Sequence, residues 1–226
     1  MNTKICLNFL KTLKKNNNRE WFNENKDLYL EAHGELISFA DELLAKMNTH
    51  DQIDTPTGKK SLFRIYRDVR FSKDKTPYQH HFSGGFRRST VHLRGGYYFR
   101  IEPGGKSMIA GGFWAPNSED MKHIRLQVQA DDQPLREIVA DKDFQDYFGK
   151  LEGEQVKSAP RGFPKDDPAI DLLRYKQLII THSFTDKEAG GADFADQVNE
   201  GFKNMRPFLD YMSEILTTDL NGTPIV

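Results

Sequence analysis

The spacing of apolar residues changes twice along this chain, and that change limits the folds the chain can adopt. From Ile5 to Met47 apolar residues recur at the helical period. Between positions 63 and 114 apolar and polar residues alternate, as in strands that bury one face. Helical spacing returns after Pro116. The pattern therefore predicts an α+β fold.

The predicted architecture is a single α+β domain over residues 1–226. It has a helical part (1–50), a basic β-meander (60–115) and a mixed helical part with one further strand (116–226). Short connections favour antiparallel neighbours, so we expect an antiparallel sheet of about five strands with helices mostly on one face. Strands are predicted at 63–71, 79–87, 97–102, 107–114 and 177–184.

Several helix boundaries are predicted by individual residues. Asn18, Asn117 and Asp167 are each placed to cap a helix, because a short polar side chain can accept an otherwise unpaired backbone N–H. Asn18 would cap a helix that continues to Met47. Pro207 lies inside a helical pattern and should kink or split it.

Charge is distributed unevenly along a chain that is almost neutral overall. The 226 residues have a formal net charge of −1, which argues against a protein that binds polyanions over its whole surface. Residues 59–106, however, contain 12 Lys and Arg against 3 Asp and Glu, a net charge of +9 (12 − 3), so the remainder carries −10. We expect this segment to attract anions.

The sequence predicts a soluble protein of the cytoplasm. Cys6 is the single cysteine, which excludes a disulfide within one chain and fits a reducing compartment. The N-terminal residues lack the features of a signal peptide, and no run approaches the roughly 20 apolar residues of a membrane span. No membrane partner is therefore predicted.

Motifs of metal and nucleophilic chemistry are missing from the sequence. There is no HxxxH, HExxH, CxxC or GxSxG pattern, so no metal site is predicted and no cofactor is indicated. The run 104–107, GGKS, resembles the end of a phosphate-binding loop, but Arg100 occupies the position of the required first glycine and a strand follows. We interpret the run as a hairpin turn.

The stretch 63–78, FRIYRDVRFSKDKTPY, is the main candidate site. As a strand, it would place Arg67 on an otherwise apolar face, where a charge needs a partner or a ligand. Arginine can bind phosphate or carboxylate with two hydrogen bonds. Asp68 could orient an arginine or act as a base, and Tyr78 could donate a hydrogen bond or stack. The predicted ligand-binding residues are Arg67, Arg70, Lys73, Lys75 and Tyr78.

Four segments of the chain resemble a widespread family of uncharacterised microbial proteins, classed as a domain of unknown function. They are NNNREWF (16–22), RIYRDVRFSKDKTPY (64–78), GYYFRIEPGG (96–105) and PRGFPKDDPAIDLLRYK (160–176). The resemblance implies no particular activity. It suggests that the segments meet in space, which adds Arg19, Arg174 and Lys176 to the predicted binding residues.

Three functions remain open on this evidence. The first is binding, with or without catalysis, of a small ligand that carries phosphate or carboxylate. The second, ranked lower because no known motif is present, is nucleic-acid binding by the basic meander. The third is a scaffold role in which the basic segment docks on an acidic partner. The aromatic residues among the cations, including Tyr66 and Phe71, are predicted to fill the core.

Overall fold

The structure is a computed structural model that describes residues 2–226, and it contains eleven helices and four strands in that range. The helices are α1 Thr3–Lys15, α2 Arg19–Glu24, α3 Lys26–Met47, α4 Gly58–Ser61, α5 Ser118–Ala130, α6 Gln133–Ala140, α7 Lys142–Phe148, α8 Ile170–Leu173, α9 Asp186–Ala189, α10 Phe194–Asn204 and α11 Arg206–Thr217. The strands are β1 Phe82–Arg87, β2 Gly96–Ile101, β3 Ser107–Phe113 and β4 Leu178–Phe184. Across the described residues, every helix is too short or too polar to cross a bilayer.

The strands form one antiparallel sheet in the order β1-β2-β3-β4, which confirms the α+β class. The sheet has four strands, against the five or so that were predicted. Along β2, Tyr97, Phe99 and Ile101 are buried and alternate with half-buried residues, as the period-two pattern requires. The predicted strand that does not form is the first one, at 63–71.

Residues 63–71 form the first arm of an irregular loop instead of a strand, so the prediction was wrong there. Phe63 N donates to Ser83 O, and Gln79 N donates to Ile65 O. Between these two hydrogen bonds the first arm spans two residues, from 63 to 65, whereas the second arm spans four, from 79 to 83. A ladder cannot continue across that mismatch, and Pro77 has no N–H to contribute.

Two aspartates give the rest of this loop an alternative to strand pairing. Asp68 Oδ1 accepts from Arg70 N at 3.2 Å, and Asp74 Oδ1 accepts from Thr76 N at 2.9 Å. Such local turns compete with ladder hydrogen bonds. Leu62 and Gly84, and Tyr66 and Tyr78, remain as isolated bridges between the two arms.

The chain divides into two compact units. The first comprises the chain through Phe86 together with Tyr98–Ile109 and Ser183–Glu200, and the second comprises Arg87–Tyr97, Ala110–His182 and Gly201–Val226. A single domain over the whole chain stays a prediction.

The first unit is built around α3. Helix α1 packs on α3, where the buried Cys6 thiol donates to Ala32 O at 3.2 Å. Burial raises the pKa of this thiol to about 12, which makes it a poor nucleophile. On α3, Phe39 contacts Phe99 and Phe194, with ring centroids 5.2 and 5.4 Å apart. This cluster of buried aromatic rings forms the core of the unit.

The second unit is built around α11, which packs on α5 and α6. The side chain of Arg88 is fully buried here and forms an ion pair with Asp210 on α11. It also donates to Ser213 Oγ at 3.2 Å and to the Arg94 carbonyl at 3.4 Å. The loop that carries Arg88 is thereby fixed to α11.

The predicted caps Asn18 and Asn117 are confirmed, because Asn18 Oδ1 accepts from Trp21 N at 2.9 Å and Asn117 Oδ1 accepts from Asp120 N at 2.8 Å. The prediction for Asp167 was wrong, because α8 begins at Ile170 with Ala169 in the N-cap position, and Asp167 Oδ1 accepts from Ala169 N at 2.9 Å in the turn before the helix. The helix after Asn18 is, however, divided at Asn25 into α2 and α3. The helix around Pro207 is likewise split, with α10 ending one residue before Met205 and α11 beginning one residue after it.

The turn between β2 and β3 binds a carboxylate from within the protein. Gly104 and Gly105 both have positive φ, 90° and 69°, and their N–H groups donate to Asp186 Oδ1 at 2.8 and 2.9 Å. Lys11 forms an ion pair with Asp186 Oδ2 at 3.1 Å. Consecutive N–H groups in such a turn form a small anion-binding concavity. The GGKS run is thus a hairpin turn, as interpreted, and its amides are occupied by Asp186.

Replacing Asp186 with alanine should lower the free energy of unfolding near pH 6 by about 1–2 kcal/mol, because charge-assisted hydrogen bonds are lost. The hydrogen bond from Gly105 N–H is the main reason that the pKa of Asp186 is lowered in the folded protein. The stabilisation should therefore be complete above the unfolded pKa of about 3.9 and lost as the pH falls through the folded value.

Urea denaturation of both proteins between about pH 6 and pH 2 measures this difference across the range in which an aspartate titrates. Asp186→Asn is the control, because it keeps an acceptor oxygen and removes the titration. A deficit in Asp186→Ala that is the same at every pH would contradict the account.

Candidate functional site

Arg67 is held inside the basic loop by its own neighbours. Its Nη1 donates to Asp74 Oδ2 at 2.6 Å, to the Thr76 carbonyl at 3.1 Å and to the Thr76 hydroxyl. Hydrogen bonds from the Thr76 amide and the Arg67 guanidinium lower the pKa of Asp74 to about 2, so the carboxylate stays charged. The Arg67 charge was expected to need a partner or a ligand, and it is neutralised by residues no more than nine positions away in the sequence. Arg67 therefore braces the loop.

Arg70 and Asp68 form an exposed pair. Arg70 Nη2 donates to Asp68 Oδ2 at 2.6 Å, and Nε donates to Oδ1 at 3.0 Å. The side-chain hydrogen bond from Arg70 is the main cause of the lowered pKa of Asp68. A carboxylate with a lowered pKa is a weaker proton acceptor, so this environment suits Asp68 as a partner that orients Arg70 better than as a base.

The two lysines of the loop differ in their surroundings. Lys75 Nζ donates to the carbonyls of Val69 and Arg70, at 3.0 and 3.4 Å, and so closes the tip of the loop. Lys73 is exposed and, among residues 2–226, makes no hydrogen bond or ion pair to protein. Of the predicted cations in this loop, Arg70 and Lys73 are the ones that point most freely into solvent.

Tyr78 joins the loop to the segment that precedes α2. Asn17 Nδ2 donates to Tyr78 O at 2.9 Å, and Tyr78 N donates to Asn17 Oδ1 at 3.1 Å. The buried Tyr78 ring stacks on Phe22 of α2, with centroids 4.0 Å apart and planes 14° apart. Two of the four segments that carry the family resemblance, 16–22 and 64–78, therefore touch.

Three tyrosines surround Phe22 at this contact. Ring centroids lie 5.1 Å from Phe22 for Tyr29, 6.1 Å for Tyr66 and 4.0 Å for Tyr78, and Tyr66 and Tyr78 are 5.3 Å apart. In the part of the chain that the structure describes, none of the three hydroxyls makes a hydrogen bond to protein. Tyr78 is buried and Tyr29 is half-buried, positions in which a tyrosine hydroxyl normally has a partner, whereas Tyr66 is 55% exposed. We call Arg19, Tyr29, Tyr66 and Tyr78 the tyrosine site.

The Tyr66 phenol acts electrostatically on both Tyr29 and Tyr78. Burial raises the pKa of Tyr29 and of Tyr78, and in each case the neighbouring Tyr66 raises it further. Arg19 acts on Tyr78 in the opposite direction, because a nearby cation favours the phenolate. The raised pKa values keep the Tyr29 and Tyr78 hydroxyls protonated at neutral pH. The site thus offers neutral O–H donors beside one guanidinium.

His33 and Lys59 lie at the border of the tyrosine site. The imidazole of His33 lies 5.4 Å from the Tyr29 ring, and burial together with the Lys59 charge lowers the pKa of His33. His33 is therefore neutral at pH 7. Lys59 contributes a second positive charge in this neighbourhood.

Arg174 and Lys176 belong to the second compact unit, whereas the other predicted site residues belong to the first. Arg174 Nε donates to Val156 O at 2.9 Å, and its Nη2 donates to Lys157 O at 3.1 Å. Lys176 Nζ forms an ion pair with Glu154 at 3.2 Å. Within their own unit, both side chains hold the extended segment at 154–157.

No pattern in the sequence indicated directly that Tyr29 or Tyr66 belongs to a site. Tyr29 follows the apolar period of α3, and Tyr66 is one of the aromatic residues predicted to fill the core. The signal that could have found them is the presence of tyrosine, which carries a hydroxyl, at three positions where phenylalanine would fill the same space. No group of three or more His, Cys, Asp or Glu residues in the range 2–226 could hold a metal ion.

Comparison with known proteins supports one assignment. A family model described as Conserved hypothetical protein (DUF2461) matches residues 6–211. The class defined by the fold is an α+β protein with a four-stranded antiparallel sheet. This chain belongs to the DUF2461 family. Comparisons with curated proteins and with solved structures found no match.

Proposed function

We propose that this protein binds a small ligand carrying phosphate or carboxylate at the tyrosine site, in the cytoplasm. The observation that carries the proposal is the packing of three tyrosine rings around Phe22, whose hydroxyls make no hydrogen bond to protein in the part of the chain that the structure describes, together with the electrostatic effect of Arg19 on Tyr78. Oxygen atoms of an anion accept hydrogen bonds from O–H and guanidinium donors, and charge-assisted bonds of this kind are the strong ones.

The environment of each donor favours this ligand class. Neutral phenols donate without adding negative charge, and Arg19 supplies the positive charge that an anion needs. Lys59 and the cations of the basic loop add a positive field that raises the local concentration of anions. The single free cysteine of the chain fits a reducing compartment.

The loop tip is a weaker candidate for the same ligand. Arg67 is satisfied by Asp74 and Thr76, and Lys75 is bonded to two carbonyls. Arg70 would have to leave Asp68 to bind an anion. Among the described residues of the loop tip, Lys73 is the one cation without a hydrogen bond or ion pair to protein, and one exposed lysine does not define a small-molecule site.

Thermal-shift and calorimetric titration with inorganic phosphate and with a small dicarboxylate test the proposal. Wild-type protein should be stabilised, because a ligand that binds only the folded state raises stability. Tyr66→Phe and Tyr78→Phe keep the ring and remove one donor, so each should weaken binding by about tenfold or more. Arg19→Gln should weaken it further.

Two controls separate this site from the loop tip. Tyr98→Phe removes a hydroxyl from the same unit outside the site and should leave the affinity unchanged. Lys73→Ala combined with Arg70→Ala should reduce binding only slightly, through the weaker field. Unchanged affinity in Arg19→Gln and Tyr66→Phe, or complete loss in the loop double variant, would overturn the assignment.

A further inference from the structure

The basic loop exposes aromatic rings that the core prediction had placed inside. The exposed fraction is 97% for Phe71 and 57% for Phe63. The guanidinium carbon of Arg70 lies 6.0 Å from the Phe71 ring centroid, and the Phe63 ring lies 6.3 Å from the Tyr98 ring. Large apolar side chains in such positions often mark contact surfaces.

The same segment carries concentrated positive charge. Residues 59–75 contain seven Lys and Arg and two Asp, a net charge of +5 (7 − 2), and all seven cations except Arg67 are classed as exposed. Each exposed ring has a cation beside it in sequence, Arg64 next to Phe63 and Arg70 next to Phe71. We call residues 59–75 the aromatic–basic surface.

The tip of this surface is rigidly built. Arg67 ties the first arm to Asp74 and Thr76 on the second, and Lys75 closes the tip through the Val69 carbonyl. A braced loop loses little conformational freedom on binding, so its exposed side chains are presented at low entropic cost.

We propose that the aromatic–basic surface binds single-stranded nucleic acid, with Phe63 and Phe71 stacking on bases while Arg64, Arg70 and Lys73 neutralise phosphates. Alternation of rings and cations matches the alternation of bases and phosphates along a single strand, where every base has a free face for stacking. In a duplex those faces are covered. An acidic protein or an anionic membrane can also take up phenyl rings beside cations, so both are outcomes of the test below. The side chains that carry this inference are not members of the tyrosine site.

The test is fluorescence anisotropy with a labelled oligothymidylate of about 20 nucleotides, titrated at several salt concentrations. Wild-type protein should bind at low salt, and its affinity should fall as salt rises. Phe71→Ala should weaken binding by about tenfold without altering the salt dependence, because a stacking contact is lost. Lys73→Ala should reduce the slope of log affinity against log salt by about 0.7, the contribution of one phosphate contact.

Controls make the outcomes distinct. Phe71 is almost fully exposed, so Phe71→Ala should keep the wild-type circular dichroism and thermal midpoint, and its affinity for inorganic phosphate should be unchanged. Arg161→Ala combined with Lys165→Ala removes two cations elsewhere in the chain and should preserve oligonucleotide binding. The proposal is overturned by absence of binding at low salt, by equal affinity of Phe71→Ala, or by stronger binding to duplex, polyglutamate or phosphatidylserine vesicles.

Discussion

Gly112→Ala should lower the free energy of unfolding by about 3 kcal/mol or more, because two costs combine at this position. Gly112 has φ 120°, a conformation that residues with a Cβ rarely adopt. A Cβ built there would lie 2.2 Å from the Leu178 carbonyl oxygen and 3.2 Å from Ile179 Cα. Both neighbours are backbone atoms of β4, so no flexible side chain can move aside.

Gly104→Ala is the matched control for Gly112→Ala. Gly104 also has positive φ, 90°, but a Cβ there would meet nothing within 4 Å. Gly104→Ala should lower the free energy of unfolding through backbone strain alone, by about 1–2 kcal/mol. Urea denaturation of the two variants measures the difference. Equal destabilisation would mean that β3 and β4 do not approach as closely at Gly112 as described.

Asp210→Ala should lower the free energy of unfolding by about 3 kcal/mol, because it removes the carboxylate that forms an ion pair with the fully buried Arg88 guanidinium. Ser213 and the Arg94 carbonyl still accept hydrogen bonds from Arg88, but neither carries a charge. The estimate is at the lower end for a buried ion pair, since Asp210 itself is 44% exposed.

Comparison with two other variants isolates the buried pair. Arg206→Ala removes the second arginine that contacts Asp210, with Nη2 and Oδ2 3.0 Å apart, and should cost about 1 kcal/mol or less since that pair is nearer the surface. Arg88→Met removes the buried charge itself and should cost less than Asp210→Ala. If Arg206→Ala destabilised the protein as much as Asp210→Ala, the burial of Arg88 would not be the cause.

Local signals in the sequence were sufficient for two of the helix N-termini. Asn18 and Asn117 each cap through an oxygen only two or three residues from its donor, so the sequence contains the whole interaction. The strand at 63–71 failed for a different reason. Its residues do alternate between apolar and polar. Strand pairing is nevertheless prevented by the turns at Asp68 and Asp74, by Pro77 and by the unequal lengths of the two arms, which together outweigh the alternating pattern.

The candidate site could be predicted only in part, because its contacts connect distant segments. The basic stretch and its attachment to the 16–22 segment followed from composition and resemblance. The exposure of Phe71 and the internal pairing of Arg67 did not, since both depend on how the loop folds back. The contact between Tyr29, on α3, and Phe22 also depends on the break at Asn25, which no pattern indicated.

The most direct measurement is a crystal structure of the protein grown with millimolar phosphate and compared with phosphate-free crystals. Our account predicts tetrahedral density within hydrogen-bond distance of the Tyr66 and Tyr78 hydroxyls and of the Arg19 guanidinium, and loss of that density in Arg19→Gln crystals. Water alone among the three tyrosine hydroxyls, or phosphate bound only by Arg70 and Lys73 at the loop tip, would contradict the claim that the tyrosine site binds anions.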